Sequence, residues 1–362
     1  MHSSLEGKKK RLGRTERRLG KVKIVHEEVG MGLRIGIVGA TGAVGIEAIK
    51  LLEKSKIAIS ELRLFASPRS VGKKIGFQGE ELRVQQLEDD AFKHLDFVFF
   101  SAGSSISAFY APKAKESGAV VIDNSSFFRM KPEVPLVVPE INSEDLNAHQ
   151  GIVANPNCTT ALLSVALWPI HKAATVQRVI VSTYQAASGA GAKAMLELET
   201  QVRHFVQGKP ITAEVFPEQI AFNVFSHNSP IADNGYNGEE NKVMQELRKI
   251  FHLPRLNVCA TCIRVPVFRA HCESVVVETE RKITAEETRR ILSVSPGIEV
   301  IDDPQNGDFP TPIKASGRKE VLVGRIREDL SHPRAVAFFL SGDQLLKGAA
   351  WNAVQILEAL IH

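Results

Sequence analysis

The chain has 362 residues, of which 44% are hydrophobic and 24% charged, with a formal net charge of +4. That composition is ordinary for a globular protein with ample material for a core, and it allows two domains or one large one. No stretch is long and apolar enough to span a membrane, and four cysteines in this length are not a disulfide framework, so a reducing, cytoplasmic setting is expected.

Much of the positive charge sits at the start. Residues 1–31 carry Lys8, Lys9, Lys10, Arg11, Arg14, Arg17, Arg18, Lys21 and Lys23, with little apolar periodicity and no apolar run of signal-peptide length. They read as a basic, disordered extension. No aromatic residues interleave with the charges, so a nucleic-acid partner is not expected.

Folding signals begin at Leu33. Residues 33–38 (LRIGIV) read as a buried strand, 39–45 as a glycine-rich turn, 46–54 as a helix and 59–66 as a second strand. Apolar runs at 97–102, 119–123 and 151–155 predict three more strands, with a helix at 106–116. Strands alternating with helices imply an α/β, Rossmann-type doubly wound parallel sheet.

The pattern changes after Cys158. A long helix is expected at 159–173, then β-rich runs at 178–184, 259–267 and 274–280, interrupted by helices at 192–206, 239–251 and 285–294. Long strands with polar alternation suggest a mixed sheet in an α+β second domain. Residues 343–361 predict an amphipathic helix returning to the first domain. The expected division is therefore 32–158 plus a C-terminal helical segment 341–362 for the first domain, and 159–340 for the second.

The turn at 39–45 has the spacing GxxGxxG between a strand and a helix. Glycines permit close backbone approach to a pyrophosphate, and the helix start offers free N–H groups. An NAD-specific site would place an acid after the second strand. Here Ser67-Pro68-Arg69-Ser70 follows, with Lys73 and Lys74 close behind, which suits the 2′-phosphate of NADP.

Cys158, in Asn155-Pro156-Asn157-Cys158-Thr159-Thr160, falls at a strand-to-helix turn. A helix N-terminus lowers a thiol pKa, so a reactive thiolate is expected. A thiolate beside a nicotinamide suits one chemistry: addition to an aldehyde carbon, hydride transfer, and a thioester.

Four segments together carry a resemblance: the loop 39–45, the turn 155–160, Gln185-Ala186-Ala187-Ser188-Gly189-Ala190-Gly191, and Arg264-Val265-Pro266-Val267 followed by His271. With these, the sequence from about Leu33 onward resembles the aspartate-semialdehyde dehydrogenases. The resemblance implies reduction of L-4-aspartyl phosphate by NADPH, with Cys158 as nucleophile and His271 as acid/base. It further implies that Gln185, Arg264 and Glu239 contact the substrate and that Arg129 and Lys242 hold phosphate. NADP would meet Thr41, Gly42, Ala43, Val44, Arg69, Ser70, Ser188, Gly189 and Gln344. No metal is implied, and a homodimer formed through the second domain is.

Two points remain to be tested by a structure. Arg264 and His271 are seven residues apart, which on a regular strand would place them on opposite faces, so a break in the alternation is predicted, at Pro266 or at a bend before His271. Cys259 and Cys262 form a CxxC, but within an expected strand they read as packed thiols rather than a zinc knuckle.

Overall fold

The computed structural model describes residues 32–362; the basic stretch 1–31 lies outside them. Two seven-stranded sheets organise the chain. The first is built from β1 (Leu33–Val38), α1 (Ala43–Glu53), β2 (Ile59–Ala66), β3 (Lys74–Phe77), β4 (Glu80–Gln86), β5 (Phe97–Phe100), α2 (Ser104–Glu116), β6 (Val120–Asp123), α3 (Pro139–Asn142) and β7 (Ile152–Ala154). Its order is β3-β4-β2-β1-β5-β6-β7. All neighbours are parallel except the β3–β4 hairpin. The central strands β5 and β6 are buried on both faces, as a covered parallel sheet requires. The edge pair β3–β4 was not expected. Its residues are mostly polar and exposed, so neither strand carries a buried-strand pattern.

The order reverses at β1, which lies between β2 and β5. Beyond the carboxyl ends of those strands is where ligands bind in open sheets of this kind. The two helices that start there, α1 and α2, both have glycine N-caps, Gly42 and Gly103, and neither has a side-chain cap. The orphan N–H groups of both first turns are thus left to a ligand or solvent.

The second sheet follows α4 (Cys158–Ala174). It comprises β8 (Val176–Gln185), α5 (Ala192–Val206), β9 (Phe225–Ser226), α6 (Gly238–Ile250), β10 (Asn257–Arg264), β11 (His271–Thr279), α7 (Ala285–Ser293), β12 (Ile298–Val300), α8 (Pro312–Ala315), β13 (Val321–Glu328) and β14 (Ala335–Gly342). The order is β12-β13-β14-β11-β8-β10-β9. It is mixed, with β8–β10 and β12–β13 parallel and the other pairs antiparallel. β13 and β14 add strands beyond those the sequence pattern indicated.

One face of this sheet is apolar: Val179 and Val181 of β8 and Val275 and Val277 of β11 are fully buried. Helix α4 supplies Leu162, Leu163, Ala166 and Ile170 to the same core cluster, which continues to Val98 and Val121 of the first sheet. α4 is thus buried nearly all round, and its amino end is fixed between the two sheets.

The C-terminal segment differs from expectation. β14 runs to Gly342, residues Leu346–Ala350 form a π-helical turn, and only α9 (Trp351–Ile361) is α-helical. The return to the first sheet holds: Ala353, Val354, Ile356 and Leu357 pack in one cluster with Ile35, Ile37 and Leu52. Among the described residues, no helix is long and apolar enough to cross a membrane.

Candidate active site

Strand register brings three side chains from distant sequence positions into one row. Arg264 pairs with Gln185 across β10 and β8, and Cys272 pairs with Tyr184, which places His271 one step on, beside Gln185. Paired residues of neighbouring strands point to the same face. The expected break in the alternation is present and takes the form of a crossover: β10 ends at Arg264, residues 265–270 pass the end of β8, and β11 starts at His271. Ala270 takes φ 71° to make the entry. Cys259 and Cys262 do lie in a strand, Cys262 fully buried and Cys259 with its sulfur 3.8 Å from the Tyr236 hydroxyl.

Above that row, Cys158 is the first residue of α4. Asn157 caps the helix, its Oδ1 accepting from the N–H groups of Thr159 (3.0 Å) and Thr160 (3.3 Å). The sulfur of Cys158 lies 3.5 Å from His271 Nε2. The Ala186 N–H donates to His271 Nδ1 at 3.1 Å, so the neutral ring carries its proton on Nε2, facing the sulfur.

Glu239 comes from the first turn of α6, held by a reciprocal capping box between Asn237 and Glu240. Its Oε1 accepts from Gln185 Nε2 (3.1 Å) and Asn157 Nδ2 (2.8 Å). Lys242, one turn on, pairs with Glu239 at 3.2 Å. Arg264 is buried, and among the described residues only its Nη1 is bonded, to the Ala186 carbonyl at 2.8 Å, while its buried Nε has no partner among them. An orphan buried guanidinium edge of this kind fits a carboxylate, which takes two parallel N–H bonds.

Electrostatics correct one expectation. Burial, reinforced by the Glu239 carboxylate, pushes the Cys158 thiol up to about 12 rather than down. Burial and the Arg264 charge press His271 down to about 3. The resting pair is therefore a neutral thiol facing a neutral imidazole. Burial opposes ionisation of Glu239, but Lys242, His227 and the hydrogen bonds from Asn157 and Gln185 outweigh it and bring its carboxyl to about 2.

Cys158, Gln185, Glu239, Lys242 and Arg264 line a cavity of about 640 Å³ together with Gly42, Ala43 and Val44, whereas His271 is fully buried and does not line it. The glycine turn is tightly built. A β-carbon at Gly45 would lie 2.3 Å from the Gly39 carbonyl oxygen, whereas one at Gly42 would meet only that oxygen, at 3.3 Å. Gly45 therefore serves the fold, and Gly42 leaves its approach open to a ligand. Ser188, Gly189 and Gln344 line the same cavity, and Gln344 Nε2 donates to Ser188 Oγ. Thr41, Arg69 and Ser70 do not line it. Thr41 belongs to the turn and Arg69 and Ser70 to the loop after β2, where Thr41 Oγ1 donates to Ser70 Oγ at 3.3 Å and Arg69 is exposed.

Arg129 lines the cavity but is heavily engaged. Its Nε donates to the Asn155 carbonyl (2.9 Å), Nη2 to the Asn124 carbonyl (2.8 Å) and Nη1 to Glu246 (3.0 Å). Sequence reasoning missed Glu246, His227 and the second glycine-capped helix start at Gly103-Ser104. Only the last had a readable signal, the same strand–glycine–helix order as the first loop. His227 and Glu246 gain their places only by folding.

Two family models match the chain: the semialdehyde dehydrogenase NAD binding domain over residues 34–149 and the semialdehyde dehydrogenase dimerisation domain over 167–347. The aspartate-semialdehyde dehydrogenase of Synechocystis sp. is 51% identical over 330 residues, covering 91% of this chain and 98% of that protein. That of Aquifex aeolicus is 50% identical over 335 residues, covering 91% and 98%. Among solved structures, aspartate semialdehyde dehydrogenase II from Vibrio cholerae, complexed with ASA, superposes with a TM-score of 0.89 at 43% identity, over 92% of this chain and 99% of that one. With a dinucleotide-type sheet, a cysteine–histidine pair and near-complete coverage by such relatives, the chain belongs to the aspartate-semialdehyde dehydrogenase family.

Proposed function

We propose that the protein catalyses the NADPH-dependent conversion of L-4-aspartyl phosphate to L-aspartate 4-semialdehyde and phosphate through a thioester on Cys158, a step that feeds lysine, methionine and threonine synthesis. The observation that carries this reading is the Cys158 sulfur 3.5 Å from His271 Nε2, in a cavity whose wall holds both the glycine turn and the set Arg264, Glu239 and Lys242.

Arg264 would clamp the substrate carboxylate through its unpartnered Nε edge, and Glu239 would receive the ammonium group. Gln185, anchored on Thr159 Oγ1 at 3.1 Å, orients the acyl group. Arg129 and Lys242 hold the phosphate. Cys158 attacks the acyl carbon as its S–H proton passes to the departing phosphate, the C–O bond to phosphate breaks, and a thioester forms. NADPH, when bound, supplies the hydride. His271 is the acid/base at the adduct's oxygen, its Nε2–H meeting that oxygen as it becomes negative. Breaking the C–S bond then releases the aldehyde, and the sulfur takes up the one net proton of the reaction from solvent to restore the resting thiol.

The uncapped α1 and α2 starts fit a pyrophosphate. Thr41, Gly42, Ala43, Val44, Ser188, Gly189 and Gln344 would contact the cofactor, with Arg69 and Ser70 on the 2′-phosphate of NADP. We assign residues 32–158 and 341–362 to the cofactor domain and 159–340 to the catalytic one. A cytoplasmic homodimer through the second domain accords with the matched dimerisation family.

The test is NADP reduction with L-aspartate 4-semialdehyde. Turnover should require inorganic phosphate and should favour this aldehyde over N-acetylglutamate semialdehyde, the substrate of a related class of reductases. Equal rates without phosphate, or preference for the acetylated aldehyde, would refute the reading.

A further inference from the structure

The buried carboxylate of Glu246 joins the two ends of the proposed chemistry. Glu246 lies on α6 and is 1% exposed. Its Oε1 accepts from Arg129 Nη1 at 3.0 Å, and its Oε2 accepts from the backbone N–H of Asn157 at 2.6 Å. Arg129 and Asn157 both belong to loops at the carboxyl end of the first sheet, while α6 packs with the second. A single side chain therefore sets the spacing between an arginine of the cavity wall and the residue preceding Cys158.

We infer that Glu246 is a positioning residue for phosphate: it orients Arg129 so that the guanidinium presents its free N–H groups to the cavity at a fixed distance from the Cys158 sulfur. The inference rests on the function proposed above. Arg129 has five N–H donors. One goes to each of Asn155, Asn124 and Glu246, which leaves one on each Nη. Without Glu246, Nη1 loses its anchor and the remaining donors lose their aim. The N–H of Asn157 loses its acceptor at the same moment, so the arginine and the nucleophile turn would relax independently.

A buried ion pair that served only the fold would leave a different signature from one that positions Arg129. The amide of Glu246→Gln is isosteric but can accept at only one end, so it must turn an NH2 toward either Arg129 or the Asn157 N–H. In phosphate-dependent oxidation of L-aspartate 4-semialdehyde, Glu246→Gln should raise the KM for inorganic phosphate by about tenfold or more. The KM values for the aldehyde and for NADP should stay within about twofold, and Glu246→Asp should recover part of the phosphate affinity. Thermal melting and elution volume confirm that each variant is folded. A phosphate KM unchanged in folded Glu246→Gln overturns the inference, as does a parallel fall in every kinetic constant. Failure of both variants to fold overturns it too, since Glu246 would then serve the fold. If the unsubstituted protein needs no phosphate, the proposed function itself fails and this inference falls with it.

Discussion

A β-carbon at Gly348 would lie 2.9 Å from the β-carbon of Cys158 and 3.2 Å from its Cα. Gly348 sits in the π-helical turn Leu346–Ala350, so that turn is pressed against the start of α4. Gly348→Ala must displace either the turn or the nucleophile. We expect a stability loss of about 1–3 kcal/mol from overpacking. Turnover should fall by about tenfold or more, because a small misplacement of the reacting atom is enough. Thermal melts together with kcat check this, and a variant with normal kcat would show that the contact is slack.

The raised thiol pKa makes a second prediction. In the ligand-free protein, alkylation of Cys158 by iodoacetamide should climb through the alkaline range without a plateau below pH 10, because the thiol sits near 12. Cys158→Ala removes the labelled site and should lower turnover by about 10³-fold or more, since the covalent route is closed. A plateau near neutral pH would mean that the helix start outweighs burial and Glu239.

Glu273 is fully buried two residues along β11 from His271, and neither carboxyl oxygen has a hydrogen-bond partner among the described residues. Burial raises its pKa well above 4.5. An acid with a raised folded pKa contributes stability that is present below its unfolded pKa and is lost as pH rises through the folded value. Glu273→Gln cannot ionise. Its melting temperature relative to the unsubstituted protein should therefore improve between pH 4.5 and pH 8. A difference that stays constant across that range would show that Glu273 has a buried partner when ionised.

In the proposed function, cofactor choice rests on the loop after β2. Arg69 is exposed beside Ser70, and no acid follows the strand. Arg69→Ala should raise the KM for NADP by about tenfold while leaving that for NAD within about twofold, since only the 2′-phosphate loses a partner. Equal effects on both cofactors would place the phosphate elsewhere.

Much of the fold was legible because burial leaves a local trace. LRIGIV at β1 and FVFF at β5 are largely apolar because both faces of those strands are covered, and β2 becomes so only over its last residues, Leu64–Ala66. The strand–glycine–helix order at 38–46 and the asparagine–cysteine turn before α4 announce themselves through turn chemistry and helix capping. The polar edge strands β3 and β4 leave no such trace. The end of the chain misleads, because a π-helical turn keeps nearly the same apolar spacing as an α-helix.

From sequence alone came the two-sheet architecture, the glycine turn, the cysteine at a strand-to-helix turn and, through resemblance, a proposed set of partners for it, because these depend on residue type and short-range spacing. Tertiary structure alone decided that Arg264, Gln185 and His271 share a row, since that depends on the register of β8 with both β10 and β11. It also decided that the resting cysteine is a neutral thiol and that Glu246 reaches Arg129. Solvent exclusion and contacts across 117 residues of chain are properties of the folded whole, and no window of sequence contains them.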